Sequence, residues 1–193
     1  MFTGGTLQIA GANITSSLPV TLQCQGGTID TNGNNATLSG TIGGPGSLTK
    51  IGLGILTLSG SSTYTGATNV NAGTLQAGAT NAFSPFSAFT VASGATLDLN
   101  NFNQSIGSLA GAGSVTLGSA TLTTGNDNTS TTFSGTLSGT GGLTKIGNGT
   151  LTLSGISSYS GATAVNAGTL IVNGSIASSA VTVNSGGTSG PQR

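Results

Sequence analysis

Residues 46–60 read GSLTKIGLGILTLSG, and residues 141–155 read GGLTKIGNGTLTLSG. The likeness extends on both sides. Shifting the chain by 95 residues lays Gly40–Leu75 over Gly135–Leu170 without a gap, and 26 of the 36 aligned positions are identical. Self-similarity at a fixed period marks a repeat architecture, in which one structural unit is stacked on the next.

Inside each copy runs a finer rhythm. Leu56-Thr57-Leu58, Thr68-Asn69-Val70, Thr74-Leu75-Gln76, Ala95-Thr96-Leu97-Asp98-Leu99 and Val115-Thr116-Leu117 alternate aliphatic with polar residues, and Gly, Asn or Ser turns separate them. A period of two is the signature of a strand with one apolar face. Strands this short are not stable alone. An antiparallel sandwich would use longer strands and more aromatic residues than the 4% found here, so the pattern predicts an all-β parallel β-helix, or β-solenoid. At about 20 residues and about 4.8 Å per rung, residues 1–193 make a single segment of about nine or ten rungs, roughly 45 Å long. Leu, Ile and Val fill the inside as columns, Thr and Asn line the outside as ladders, and Gly takes the corners.

Composition agrees. Charged residues are 3% of the chain, against about 25% in an ordinary globular domain. Like charges stacked on neighbouring rungs would lie about 5 Å apart and repel. The cations are Lys50, Lys145 and Arg193, the anions Asp30, Asp98 and Asp127, and there is no Glu or His. That excludes the basic footprint required by nucleic acid. No apolar run approaches the length of a membrane-spanning helix, so this segment is not membrane-embedded. Cys24 stands alone and forms no internal disulfide; its place in VTLQCQGGT predicts a small buried or half-buried thiol.

Two of the three cations sit in the repeated phrase. Asp30 precedes Lys50 by 20 residues and Asp127 precedes Lys145 by 18, about one rung in each copy. Two readings follow: a surface ion pair between neighbouring rungs, or a solvated lysine at an exposed strand end.

Sites for cofactors or metals are not expected. Gly52-Leu-Gly54, Gly111-Ala-Gly113 and Gly147-Asn-Gly149 lack the third glycine and the helix of a dinucleotide site. GGTIDTNGN, from Gly26, only approaches a calcium repeat, and a turn in which Asp30 bonds its own backbone explains it better. Polysaccharide cleavage needs paired carboxylates, whereas the three aspartates are isolated, so the chain reads as non-catalytic. Tyr64 and Tyr159 occupy equivalent positions and are expected to pack at a corner. In ATNAFSPFSAF the first copy is about three residues longer than the second, and Phe83, Pro85 and Phe86 occupy the extra length. Insertions in solenoids become loops, often on a binding face, so these three form a candidate interaction loop; a loop tucked over the rod is the alternative.

The phrase LTKIGxGxLTLSGxxxYxGATxVNAGTL, at Leu48–Leu75 and Leu143–Leu170, resembles the passenger-associated repeat of bacterial autotransporter proteins. Residues 94–145 are similar to the stretch that joins successive repeats in that family. The resemblance implies a right-handed helix, export through a C-terminal barrel, and display on or release from the cell surface. It implies a rigid stalk with possible adhesive contacts to an unknown host ligand. Gly5-Thr-Leu-Gln8 matches Gly73-Thr-Leu-Gln76, so the expectation is a piece cut in mid-repeat, without its signal peptide and barrel. Uncapped ends leave a second expectation, an extracellular structural protein whose copies stack end to end into filaments.

Overall fold

The computed structural model describes residues 1–176 and 179–190; Arg193 lies outside them. Short strands follow one another around a triangular course, and each pairs in parallel with a strand about one rung away. The first face is a ten-stranded sheet running from Thr6–Gln8 to Gly187–Ser189. The second is a seven-stranded sheet from Ile14–Ser16 to Thr136–Gly139. The third holds the pair Val20–Thr21 and Ile42–Gly43, then five strands from Gln104–Ile106 to Val181–Val183. Ten strands on one face make about nine turns, and register offsets of 18 to 22 residues set the rung length. The predicted parallel β-solenoid is therefore the fold.

Alternation produces its core. In Ile55–Leu58 and Thr150–Leu153 the leucines at 56, 58, 151 and 153 point inward, while the threonines between them stay at the surface. Leu56 and Leu58 sit in register with other aliphatic residues: Ala36, Leu56 and Leu75 stack, as do Leu38, Leu58 and Ala77. Full burial of such a side chain contributes about 1.5–3 kcal/mol, repeated at every rung.

The two copies do not lie on the same faces. Leu48–Ile51 belongs to the first face and Ile55–Leu58 to the second, whereas their counterparts Leu143–Lys145 and Thr150–Leu153 lie on the third and first. Register shows why: Leu48 leads to Thr68, Phe89 and Leu109 in successive rungs, and the fourth step reaches Thr131–Phe133. Two faces then remain before Leu143. The 95-residue period thus spans four and two-thirds turns, and each copy is carried round the axis by one face. All three faces accept the same alternating strand, because alternate positions on each of them turn into one buried interior, filled by aliphatic residues and, as at Thr68 and Lys50, by polar ones bonded inside.

This equivalence predicts that one whole period can be removed. Excising residues 48–142 joins Ser47 to Leu143, and the expected product is a cooperatively unfolding rod shortened by about 22 Å, at about 4.8 Å per rung. Small-angle scattering and circular dichroism check it; an expanded or aggregated product would show that the faces are not interchangeable.

Candidate functional site

The sequence places Lys50 on the same side of its strand as Leu48, and the structure keeps it there, fully buried at 0% exposure. Its ammonium reaches the corner between the first and second faces. There it donates to Thr31 Oγ1 at 2.9 Å, Ile51 O at 2.9 Å, Gly52 O at 2.7 Å and Ala72 O at 3.0 Å. Thr31 belongs to the rung below and Ala72 to the rung above, so one charge joins three rungs. Lys145, 1% exposed, repeats this at the corner between the third and first faces, donating to Ile146 O at 2.6 Å, Gly147 O at 2.8 Å and Ala167 O at 3.3 Å.

Neither sequence reading of the lysines matches this arrangement. They are not on the surface, and their hydrogen-bond partners are backbone carbonyls, with the Thr31 hydroxyl added at Lys50. Asp30 and Asp127 act on them through the Coulombic field instead, opposing the burial that lowers both ammonium pKa values, Lys50 to about 8. The carboxylates are engaged elsewhere. Asp30 accepts from Gln8 Nε2 at 2.8 Å and Asn32 N at 2.8 Å; these bonds, led by Gln8, hold its pKa below the usual value. Asp127 accepts from Ser108 Oγ at 2.7 Å and Thr129 N at 2.9 Å, and Asp98 from Gln76 Nε2 and Asn100 N, both at 2.9 Å. Each aspartate closes its own turn and takes one bond from the preceding rung, the local arrangement expected for Asp30.

A second buried device recurs with the lysines. The Tyr64 hydroxyl meets Thr68 Oγ1 at 2.6 Å, which meets Ser87 Oγ at 2.8 Å, and Ser87 donates to Gly66 O at 2.7 Å. Tyr159, Thr163, Ser179 and Gly161 O form the same chain in the second copy. Burial raises both phenol pKa values, Tyr64 to about 12, so the hydroxyls remain protonated pins between rungs.

A family model described as passenger-associated-transport-repeat matches residues 48–77 and 143–172, the stretches that carry both lysines and both tyrosines. The chain carries two autotransporter passenger repeats. Over 166 residues it is 43% identical to the adhesin BmaC autotransporter of Brucella suis biovar 1 (strain 1330), an alignment covering 81% of this chain. The chain spans about 5% of that relative's length. No solved structure matches it.

Between the passenger repeats lies the longer segment, residues 78–87, which occupies the third face where its ladder is interrupted. Gln104, buried on the rung above, replaces the missing strand contacts: its Nε2 donates to Ala79 O at 2.7 Å, and its Oε1 accepts from Phe83 N at 3.0 Å. Phe83 is fully buried and packs on Phe89 with ring centroids 5.5 Å apart. Pro85 is half-buried, its carbonyl accepting from Asn126 Nδ2 at 3.1 Å, while Phe86 stands 52% exposed. The three candidate loop residues therefore divide into an anchor, a brace and an outward tip. Cys24, expected buried or half-buried, is exposed, because it falls in a turn closed by Gly26 N donating to Gln23 O at 2.6 Å.

Truncating the anchor and the tip has unequal consequences. Phe83→Ala is expected to cost about 3–5 kcal/mol through the cavity it leaves, and Phe86→Ser less than about 0.5 kcal/mol, both read from urea unfolding; equal losses would mean that Phe86 is also part of the core.

Proposed function

We propose that this region is a rigid, non-catalytic stretch of an adhesin-type autotransporter passenger, exposed on the bacterial surface or released from it, which spaces neighbouring parts of its protein and offers contacts through Phe86. The observation that carries the reading is the pair of passenger repeats set into one continuous parallel solenoid, with 43% identity to an adhesin autotransporter.

The physical chemistry supports a mechanical role. Ladder hydrogen bonds run from rung to rung along the first face, and buried lysine and tyrosine pins add further links at the corners. Stiffness then comes from summed nearest-neighbour contacts and not from a single centre. A surface of hydroxyls and amides keeps such a rod wettable with almost no charge. The three aspartates support a non-catalytic reading, since each is already committed to an inter-rung bond. No comparison supports end-to-end filament assembly.

Phe86 is the large apolar side chain that the longer segment turns outward, and a partly exposed aromatic beside a braced backbone is suited to a partner's apolar pocket. With the full-length protein displayed on a bacterial host, antibodies are expected to label this region on unpermeabilised cells, and Phe86→Ser to lower adherence to cultured epithelial cells by about fivefold, the effect of losing roughly 1 kcal/mol at a contact. Absence of surface label would overturn the passenger placement; unchanged adherence at equal display would remove Phe86 from the contact.

A further inference from the structure

We propose that the corner around Gly52 is a binding site for a primary ammonium or a potassium-sized monovalent cation, occupied by the chain's own Lys50, and that Lys145 fills a second such site. This inference does not depend on the surface role proposed above.

The donor set defines the ligand. Four oxygens converge on one point at 2.7–3.0 Å, three of them backbone carbonyls from two successive rungs and the fourth the Thr31 hydroxyl. Calcium takes oxygen ligands at about 2.3–2.6 Å and magnesium at about 2.0–2.1 Å, and both favour carboxylates. These neutral oxygens sit farther out. Rings of backbone carbonyls that replace a hydration shell suit potassium, and they suit an ammonium equally, because each N–H then has an acceptor.

The site is built by the backbone and not by the lysine. Gly52 has φ +78° and Gly73 φ +66°, and these left-handed turns direct the adjoining carbonyls into the corner. A side chain at either position is blocked: an added Cβ at Gly52 would lie 2.4 Å from Asn32 N, and one at Gly73 2.4 Å from Gly52 O. Gly147 and Gly168, with φ +68° and +65°, reproduce the pair around Lys145, so the same cage recurs at a different corner of the rod. Removing the cation would take from Gly52 O and Ala72 O the donor they have here, whereas Ile51 O would keep Thr31 N at 3.0 Å and Thr31 Oγ1 at 3.2 Å. Asp30 and Asp127 supply nearby negative charge without entering the cage.

Chemical rescue tests the proposal. Lys50→Ala deletes three methylenes and the ammonium, which together correspond to n-propylammonium. Lys50→Met fills the space without a charge. Both variants are expected to unfold at a lower temperature than the parent. n-Propylammonium chloride should raise the midpoint of Lys50→Ala with the logarithm of its concentration, as ligand linkage requires, recovering at least half of the loss. Potassium chloride should raise it more than sodium chloride at equal ionic strength. n-Propanol should have no such effect, and neither the parent nor Lys50→Met should respond to the amine. A Lys50→Met variant as stable as the parent would overturn the proposal, because the cage would then need no cation. So would equal rescue by n-propanol, which would mean simple cavity filling. If Lys50→Ala does not fold, Lys145→Ala, with its three-oxygen cage, carries the same comparison, and failure of both to fold in every cation tested also overturns it.

Discussion

Every rung must offer its backbone N–H and C=O groups to the next rung in parallel register, and the other features of the molecule follow from that constraint. Register stacks each side chain on a counterpart about 5 Å away, so a residue is tolerated only if it is compatible with something like itself. Leucine over leucine improves the core, and Thr28 over Thr49 continues a surface ladder. Charge over like charge is repulsive, and the chain has almost none. Asp30 and Asp98 are instead met on the preceding rung by Gln8 and Gln76, neutral side chains that donate to them.

The buried lysines are the exception that this constraint makes possible. Bringing an ammonium out of water costs several kcal/mol, more than any single hydrogen bond returns. At the corner, however, left-handed turns on successive rungs aim carbonyls at one another, and those oxygens cost about 1–3 kcal/mol each when left unpaired. Gly52 O and Ala72 O depend on the ammonium in this way, and together they bring the two costs to the same magnitude, while Ile51 O also accepts from Thr31 N. The charge is thus retained where the backbone has already concentrated acceptors, and it links three rungs that aliphatic columns alone would hold less specifically.

Much of this was legible in the residues. The 95-residue match and the two-residue alternation lead to a solenoid of about 20 residues per rung, and the structure has rungs of 18 to 22. Leu48-Thr49-Lys50 also states that the lysine shares a face with Leu48, yet the general preference of lysine for water points the other way, and only the corner carbonyls decide between them. The longer segment is visible as extra length, but Phe83 and Phe86 cannot be told apart until Gln104 and Phe89 are seen to hold the first of them inside. The residues VTLQCQGGT do not show that Val20–Thr21 ends early and that the chain turns at Cys24, which leaves its thiol exposed.

The rotation of the repeat was hidden for a different reason. A period in sequence becomes a direction in space only when the number of faces per rung is known, and three short strands per rung do not announce themselves as a triangle. With three faces and a period of four and two-thirds turns, only a third further copy would return to the orientation of the first, after fourteen rungs. Equivalent residues such as the exposed Leu53 and its counterpart Asn148 therefore project from different corners. A rod assembled from such periods turns each copy toward a different face, and its length can change by whole periods, since the inward columns already mix aliphatic residues with polar ones that bond inside, as where Thr68 follows Leu48 and Val70 follows Lys50.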